Sequence, residues 1–259
     1  MGSGSAEGNN VSIDSGTVSD VAGNVSNSVS SGPFEIDLSD PSLGNIVDNN
    51  AASSNYCTGS APVKPTGFAP SDSVSGIDTD PAKTYEAWTT PLNNVFGTYS
   101  YEAKATDIAG RTDTFAKKTY SYTYGVGQAG GASYSGALQP VNQDGSSRFK
   151  LGSTVPVKFT FTCGGTPITN AVPKLTVKQG DTKPDPGVDE AISTSAATTG
   201  NAFRLVDAST GMYLFNLSTK SGYLNPGETQ PIAFSQGTWT LGINFGDNTS
   251  QTVKVQLVK

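Results

Sequence analysis

Between residues 155 and 163 every second side chain is apolar. Val155, Val157, Phe159, Phe161 and Cys163 alternate with Pro156, Lys158, Thr160 and Thr162. Trp239, Leu241, Ile243 and Phe245 repeat the pattern against Thr240, Gly242 and Asn244. After a turn at 246–250, Val253, Val255 and Leu257 alternate back. Successive side chains of a strand point to opposite faces, so strict period two predicts antiparallel strands with one face on a core and one in water. Met212-Tyr213-Leu214-Phe215-Asn216-Leu217 reads as another strand, and no stretch carries helical periodicity. The punctuation agrees: 30 Gly and 15 Pro, with abundant Ser, Thr and Asn, suit many short strands joined by turns.

An internal repeat divides the chain. Val18-Ser19-Asp20-Val21-Ala22-Gly23-Asn24 corresponds to Ala105-Thr106-Asp107-Ile108-Ala109-Gly110-Arg111. The spacing of the copies is close to the ~100 residues of one immunoglobulin-like domain. In each copy a glycine supplies the turn of a closing hairpin. Too few residues precede the first copy to complete a domain. The expected organisation is therefore an artificial tag at 1–5, the closing hairpin of a truncated immunoglobulin-like repeat at 6–33, and a complete sandwich at 34–125. A Gly-rich linker follows at 126–132, then a second sandwich at 133–259. The fold class is all-β, with tandem immunoglobulin-like β-sandwich domains. With a tag at the start, the lack of a signal peptide carries no information about secretion.

Two stretches resemble known families. Leu138-Gln139-Pro140-Val141-Asn142, followed by Phe149-Lys150-Leu151-Gly152-Ser153-Thr154-Val155-Pro156-Val157-Lys158-Phe159, resembles the opening of the PxKF domain. Thr199-Gly200-Asn201-Ala202-Phe203-Arg204, Tyr213–Lys220 and Gly237-Thr238-Trp239-Thr240-Leu241 match the same family in order, so the resemblance covers about 133–259. Residues 7–42, with Ser19-Asp20-Val21-Ala22-Gly23-Asn24 and Phe34-Glu35-Ile36-Asp37, look like the end of a bacterial surface immunoglobulin-like repeat, and 97–124 look like the same closing hairpin again. These resemblances imply extracellular spacing, adhesion or substrate binding without a shared catalytic set. They also imply a place near the C-terminal end of a large secreted or surface protein.

Composition narrows the chemistry. The chain has no His, which removes Ser-His-Asp and Cys-His catalysis and ordinary zinc ligation. No Walker or dinucleotide glycine motif opens a helix, and no two of the 22 acidic residues stand out as a glycosidase pair. The expectation is no enzyme. A net charge of −6 argues against nucleic acid or an anionic membrane as partner, and no apolar run is long enough for a transmembrane helix. No cofactor is expected, with calcium the one candidate, through Asp78, Asp80, Asp107 and Asp113 in turns. The bland reading of such aspartates is that they bond their own backbone.

Cys57 and Cys163 permit one disulfide, for which Cys57 would have to reach across the expected domain boundary. Tyr99, Tyr101, Tyr120, Tyr122 and Tyr124 could form a sugar platform, but cross-strand core pairs are the favoured reading. Trp239 is expected in the core beside Phe159 or Phe161. The overall expectation is a non-catalytic structural or adhesive module of a secreted or cell-surface protein, with a protein or polysaccharide as surface ligand. Alternatives are an accessory polysaccharide-binding module of a secreted hydrolase, or a filament subunit that assembles with its own kind through residues 6–37.

Overall fold

The computed structural model describes residues 7–91, 95–184, 190–195, 200–224 and 229–259. The expected tag at 1–5 and Thr199 of the PxKF-like stretch lie outside them. The described residues are all-β, without a helix. None of them forms a helix long and apolar enough to cross a membrane. In chain order the strands are β1 (Gly8–Val11), β2 (Phe34–Ile36), β3 (Ser53–Asn55), β4 (Tyr85–Thr89), β5 (Gly97–Thr106), β6 (Thr112–Thr123), β7 (Ser133–Tyr134), β8 (Arg148–Lys150) and β9 (Thr154–Cys163). They continue as β10 (Thr166–Pro167), β11 (Lys174–Gln179), β12 (Glu190–Ala191), β13 (Arg204–Asp207), β14 (Met212–Ser218), β15 (Tyr223–Leu224), β16 (Gly237–Asn244) and β17 (Ser250–Val258).

Two compact units divide the chain, and both are discontinuous. The first holds Met1–Asn50, Val63–Thr89 and Ser100–Thr119; the second holds Ala51–Pro62, Thr90–Tyr99 and Tyr120–Lys259. Sequence reasoning placed the join at 126–132, whereas this division cuts β5 and β6. The Gly-rich stretch is a tight reversal: Gln128 N donates to Gly125 O at 2.9 Å, and Ala132 N donates to Tyr124 O at 2.8 Å. Tyr124 and Ala132 are both buried in the core of the second unit. Glycine serves a compact turn as readily as a spacer, so composition does not separate the two.

In the second unit, one sheet has the order β10-β9-β14-β13, with β7 also on β9, and another has the order β15-β12-β11-β16-β17-β8. A single hydrophobic cluster draws on both: Val155, Val157, Phe159 and Phe161 of β9, Phe215 of β14, Leu175 of β11, Leu241 of β16 and Val255 of β17. This is sandwich-like packing, and β9 shows the expected alternation of buried and half-buried residues. β16 departs from it, because Thr240 and Gly242 on its other face are buried too. Thr240 Oγ1 donates to Gly180 O at 2.7 Å, and a Cβ on Gly242 would lie 2.6 Å from Thr176 Oγ1 and 3.3 Å from Pro184 Cγ. Trp239 is buried as expected, but its ring neighbours are Phe234 at 4.5 Å and Tyr223 at 5.6 Å. Its Nε1 donates to Ser235 O at 2.9 Å.

The first unit is less regular. β4 pairs antiparallel with β5 from Tyr85↔Lys104 to Thr89↔Ser100. Tyr101, Ala103 and Ala105 of β5 are buried. The weakly patterned stretch after β2 forms single bridges, Ser42↔Ser71 and Val47↔Thr66. Here two backbones approach closely enough that a Cβ on Gly67 would lie 2.0 Å from Asn45 O. At the N-terminal end, β1 pairs with β2, and Asp14↔Ser30 and Ser19↔Val25 continue the hairpin outward.

Candidate functional site

Asp107 opens the turn between β5 and β6, in the first unit. Asp107 N donates to Arg111 O at 3.1 Å and Gly110 N donates to Asp107 O at 3.1 Å, with Gly110 at φ 90°. Arg111 N donates to Asp107 Oδ1 at 2.8 Å. The side chain is fully buried, at 0% exposure, and among the described residues no donor reaches its Oδ2.

Two further carboxylates from distant segments meet it. Ile108 N donates to Gly76 O at 3.0 Å and Asp78 N donates to Thr106 O at 2.8 Å, which lays residues 76–78 along the start of the turn. The tight turn just before them is organised by Asp72, whose Oδ1 accepts from the backbone N–H groups of Val74, Ser75 and Gly76 at 2.8–3.0 Å. Asp37 follows β2; its Oδ1 accepts from Ser39 N at 3.1 Å, and its Oδ2 accepts from the hydroxyl and backbone N–H of Ser75. The Ser75 hydroxyl holds the Asp37 carboxyl below its ordinary value, against the opposing effect of burial. Asp37, Asp72 and Asp107 each offer an oxygen, all within 4.8 Å of one another. Arg111 points elsewhere: its Nη1 meets Asp40 Oδ1 at 3.1 Å and its Nε donates to Asp37 O at 3.4 Å.

Of the four aspartates singled out in sequence, only Asp107 enters this cluster. Asp78 Oδ2 pairs with Lys83 at 2.7 Å, which lowers the Asp78 pKa and raises that of Lys83. Asp78 Oδ1 accepts from Asp80 N and Asp80 Oδ1 accepts from Ala82 N, the local turn bonding that short acidic side chains favour. Asp113 lies on β6, half-buried and outside the cluster. Sequence reasoning did not single out Asp37 and Asp72, because non-local pairing brings them to Asp107. The one local signal is Arg111, which replaces the asparagine of the first repeat copy.

In the second unit, Cys57 and Cys163 form a disulfide across a separation of 106 residues, with Cα atoms 5.3 Å apart. Residues 51–62 and 163 belong to the same compact unit. Tyr56 seats the segment as well: its ring lies 5.4 Å from that of Tyr124 and its hydroxyl 3.3 Å from Asn170 Oδ1. The five hairpin tyrosines are all buried, so they fill the interior instead of presenting a sugar platform. No protein-family model matches the chain, and no curated protein matches it. The likeness to PxKF and surface-repeat segments therefore rests on the residues quoted above.

Proposed function

We propose that the chain is a non-catalytic structural or adhesive module of a secreted or cell-surface protein, made of tandem immunoglobulin-like sandwiches. The observation that carries this reading is the Cys57–Cys163 bridge. A structural disulfide persists in oxidising compartments and is rare where thiols are kept reduced. Closing a loop of that size removes about 4–5 kcal/mol of unfolded-chain freedom in the loop-entropy picture, which suits a spacer that keeps its shape outside the cell. In this role a protein or polysaccharide surface is the natural ligand class, and rigid β-modules hold it away from the anchor.

The test uses intact cells of the source organism. A protease and a maleimide that cannot cross membranes should reach the chain, and its cysteines should label only after reduction. Free thiols on a chain shielded from both reagents would sink the reading. A filament subunit is the second reading, favoured by the long N-terminal hairpin, where Val18, Val21, Val25 and Val29 are all more than 60% exposed. Apolar, unpaired edges of this kind can add to a neighbouring sheet. Light scattering of the full chain against one starting at Gly32 decides it: two monomers would end it.

A further inference from the structure

We infer that Asp37, Asp72 and Asp107 form a calcium site that fastens the β5–β6 turn to the two loop segments packed on it. The donors are all carboxylate oxygens, the hard set that takes calcium, magnesium or manganese and not softer metals. The three oxygens lie within 4.8 Å of one another, close enough for all of them to reach one calcium ion at ligand distances of about 2.3–2.6 Å, and they come from loop segments, which suits calcium's flexible geometry better than the near-ideal octahedron magnesium demands.

Acidic clusters are common without an ion, and Asp37 and Asp72 are well supplied with donors. Asp107 is not. A buried polar atom normally has a partner, and an unpartnered carboxylate oxygen is costly. Asp247, buried to the same degree in the second unit, shows the usual state: its Oδ2 accepts from Tyr124 N at 2.6 Å and its Oδ1 from Thr249 N at 2.8 Å. Asp107 has its Oδ1 satisfied and its Oδ2 bare, in a carboxylate beside two more negative groups, with the Arg111 guanidinium committed to Asp40 and a backbone carbonyl. A calcium ion at Oδ2 supplies the missing partner and offsets two of the three negative charges. The N–H groups around Asp37 and Asp72 then orient ligands, as the surroundings of metal sites do.

The ion would join three segments distant in sequence, just where the first unit has only single bridges in place of regular strands. Binding to the folded form alone stabilises it by mass action. An affinity of about 10⁻⁴–10⁻³ M is expected, the range of extracellular modules.

Titration of calcium chloride into the full chain, followed by calorimetry and by the melting temperature, tests this. One ion should bind, with a melting shift that a chelator reverses. Asp107→Asn and Asp72→Asn should each weaken binding at least tenfold, while Asp113→Asn should leave it unchanged. Arg111→Asn should also weaken it, because an amide there can reach Oδ2 as Asn24 reaches Asp20 in the first copy. A wild-type chain that gives neither heat nor a melting shift at millimolar calcium overturns the site. So does an Asp72→Asn chain that folds and binds like wild type, and magnesium binding as tightly as calcium overturns the choice of ion.

Discussion

The turns at 20–24 and 107–111 are the same object in two settings. In one, Asn24 N donates to Asp20 Oδ1 at 2.9 Å, Gly23 N to Asp20 O at 3.0 Å, and Asp20 N to Asn24 O at 2.9 Å. In the other, Arg111 N, Gly110 N and Asp107 N make the corresponding bonds at 2.8, 3.1 and 3.1 Å. Both glycines adopt the left-handed conformation, at φ 87° and 90°. The difference is at the second carboxylate oxygen. Asn24 Nδ2 donates to Asp20 Oδ2 at 2.8 Å, whereas Asp107 Oδ2 has no such donor and is buried. Local sequence therefore builds the turn, and what the turn carries depends on the surface it meets. The first copy closes itself in solvent; the second is left open towards Asp37 and Asp72.

The strands leading into the two turns differ in the same way, and this gives the largest expected effect. Tyr101 of β5 is fully buried, donates to Glu86 Oε2 at 3.2 Å and meets Phe115 edge-on at 5.5 Å. Tyr101→Ala should cost about 3–5 kcal/mol, as large aromatic truncations do. Val21 in the first turn is fully exposed, and Val21→Ala should change stability by less than about 0.5 kcal/mol. Denaturant unfolding of both variants checks the contrast. A comparable loss for Val21→Ala would mean that the first turn is packed and that the comparison fails.

Alkaline pH sharpens the contrast, since only the second hairpin carries tyrosine. Burial, and then the Glu86 charge, push the Tyr101 phenol from 10.0 up to about 12. A raised folded pKa means that the unfolded chain ionises first. The contribution of Tyr101 is thus complete below pH 10 and is lost as pH rises towards about 12. Amide exchange at Ala103 and Ala105 should report this weakening, and Tyr101→Phe should reduce it, leaving the share of Tyr99 and Tyr122, whose phenols burial also raises. An unchanged pH response in Tyr101→Phe would place the alkaline sensitivity elsewhere.

The β-architecture was readable where one strand face alone meets a core, as in β9, because alternation then encodes burial directly. It was less readable in β16, whose outer face is covered by residues around Gly180 and Pro184 that no local pattern connects to it. At 126–132 the sequence could not separate a spacer from a reversal, because glycine marks both, and the Tyr124–Ala132 bond is a feature of the fold. The metal candidate was half legible. Asp107 stood out through the repeat, but its partners arrive through the Ile77↔Asp107 bridge and the Ser75–Asp37 contact, which are products of the tertiary fold. Asp78 and Asp80 were attractive only for their spacing, and that spacing serves a local turn.

The smallest expected effect concerns the self-closed turn. The Asn24 side chain, followed by the Asn24 backbone N–H, holds the Asp20 carboxyl below its ordinary value. A depressed folded pKa stabilises the turn above the unfolded value, and that support disappears as pH falls through the folded value. Asp20 is open to solvent, so the whole-chain melting temperature should barely move. The turn itself should respond: the Asn24 amide resonance should shift on acidification with the Asp20 titration, at a pH below that of the same carboxyl in denaturant. Asn24→Ala should move this midpoint upward by removing the largest cause of the depression, while leaving the bond from the residue-24 backbone in place. An unmoved midpoint would show that the backbone N–H alone sets the Asp20 carboxyl. The asparagine at 24 would then no longer explain why the first turn closes on itself while the second stays open.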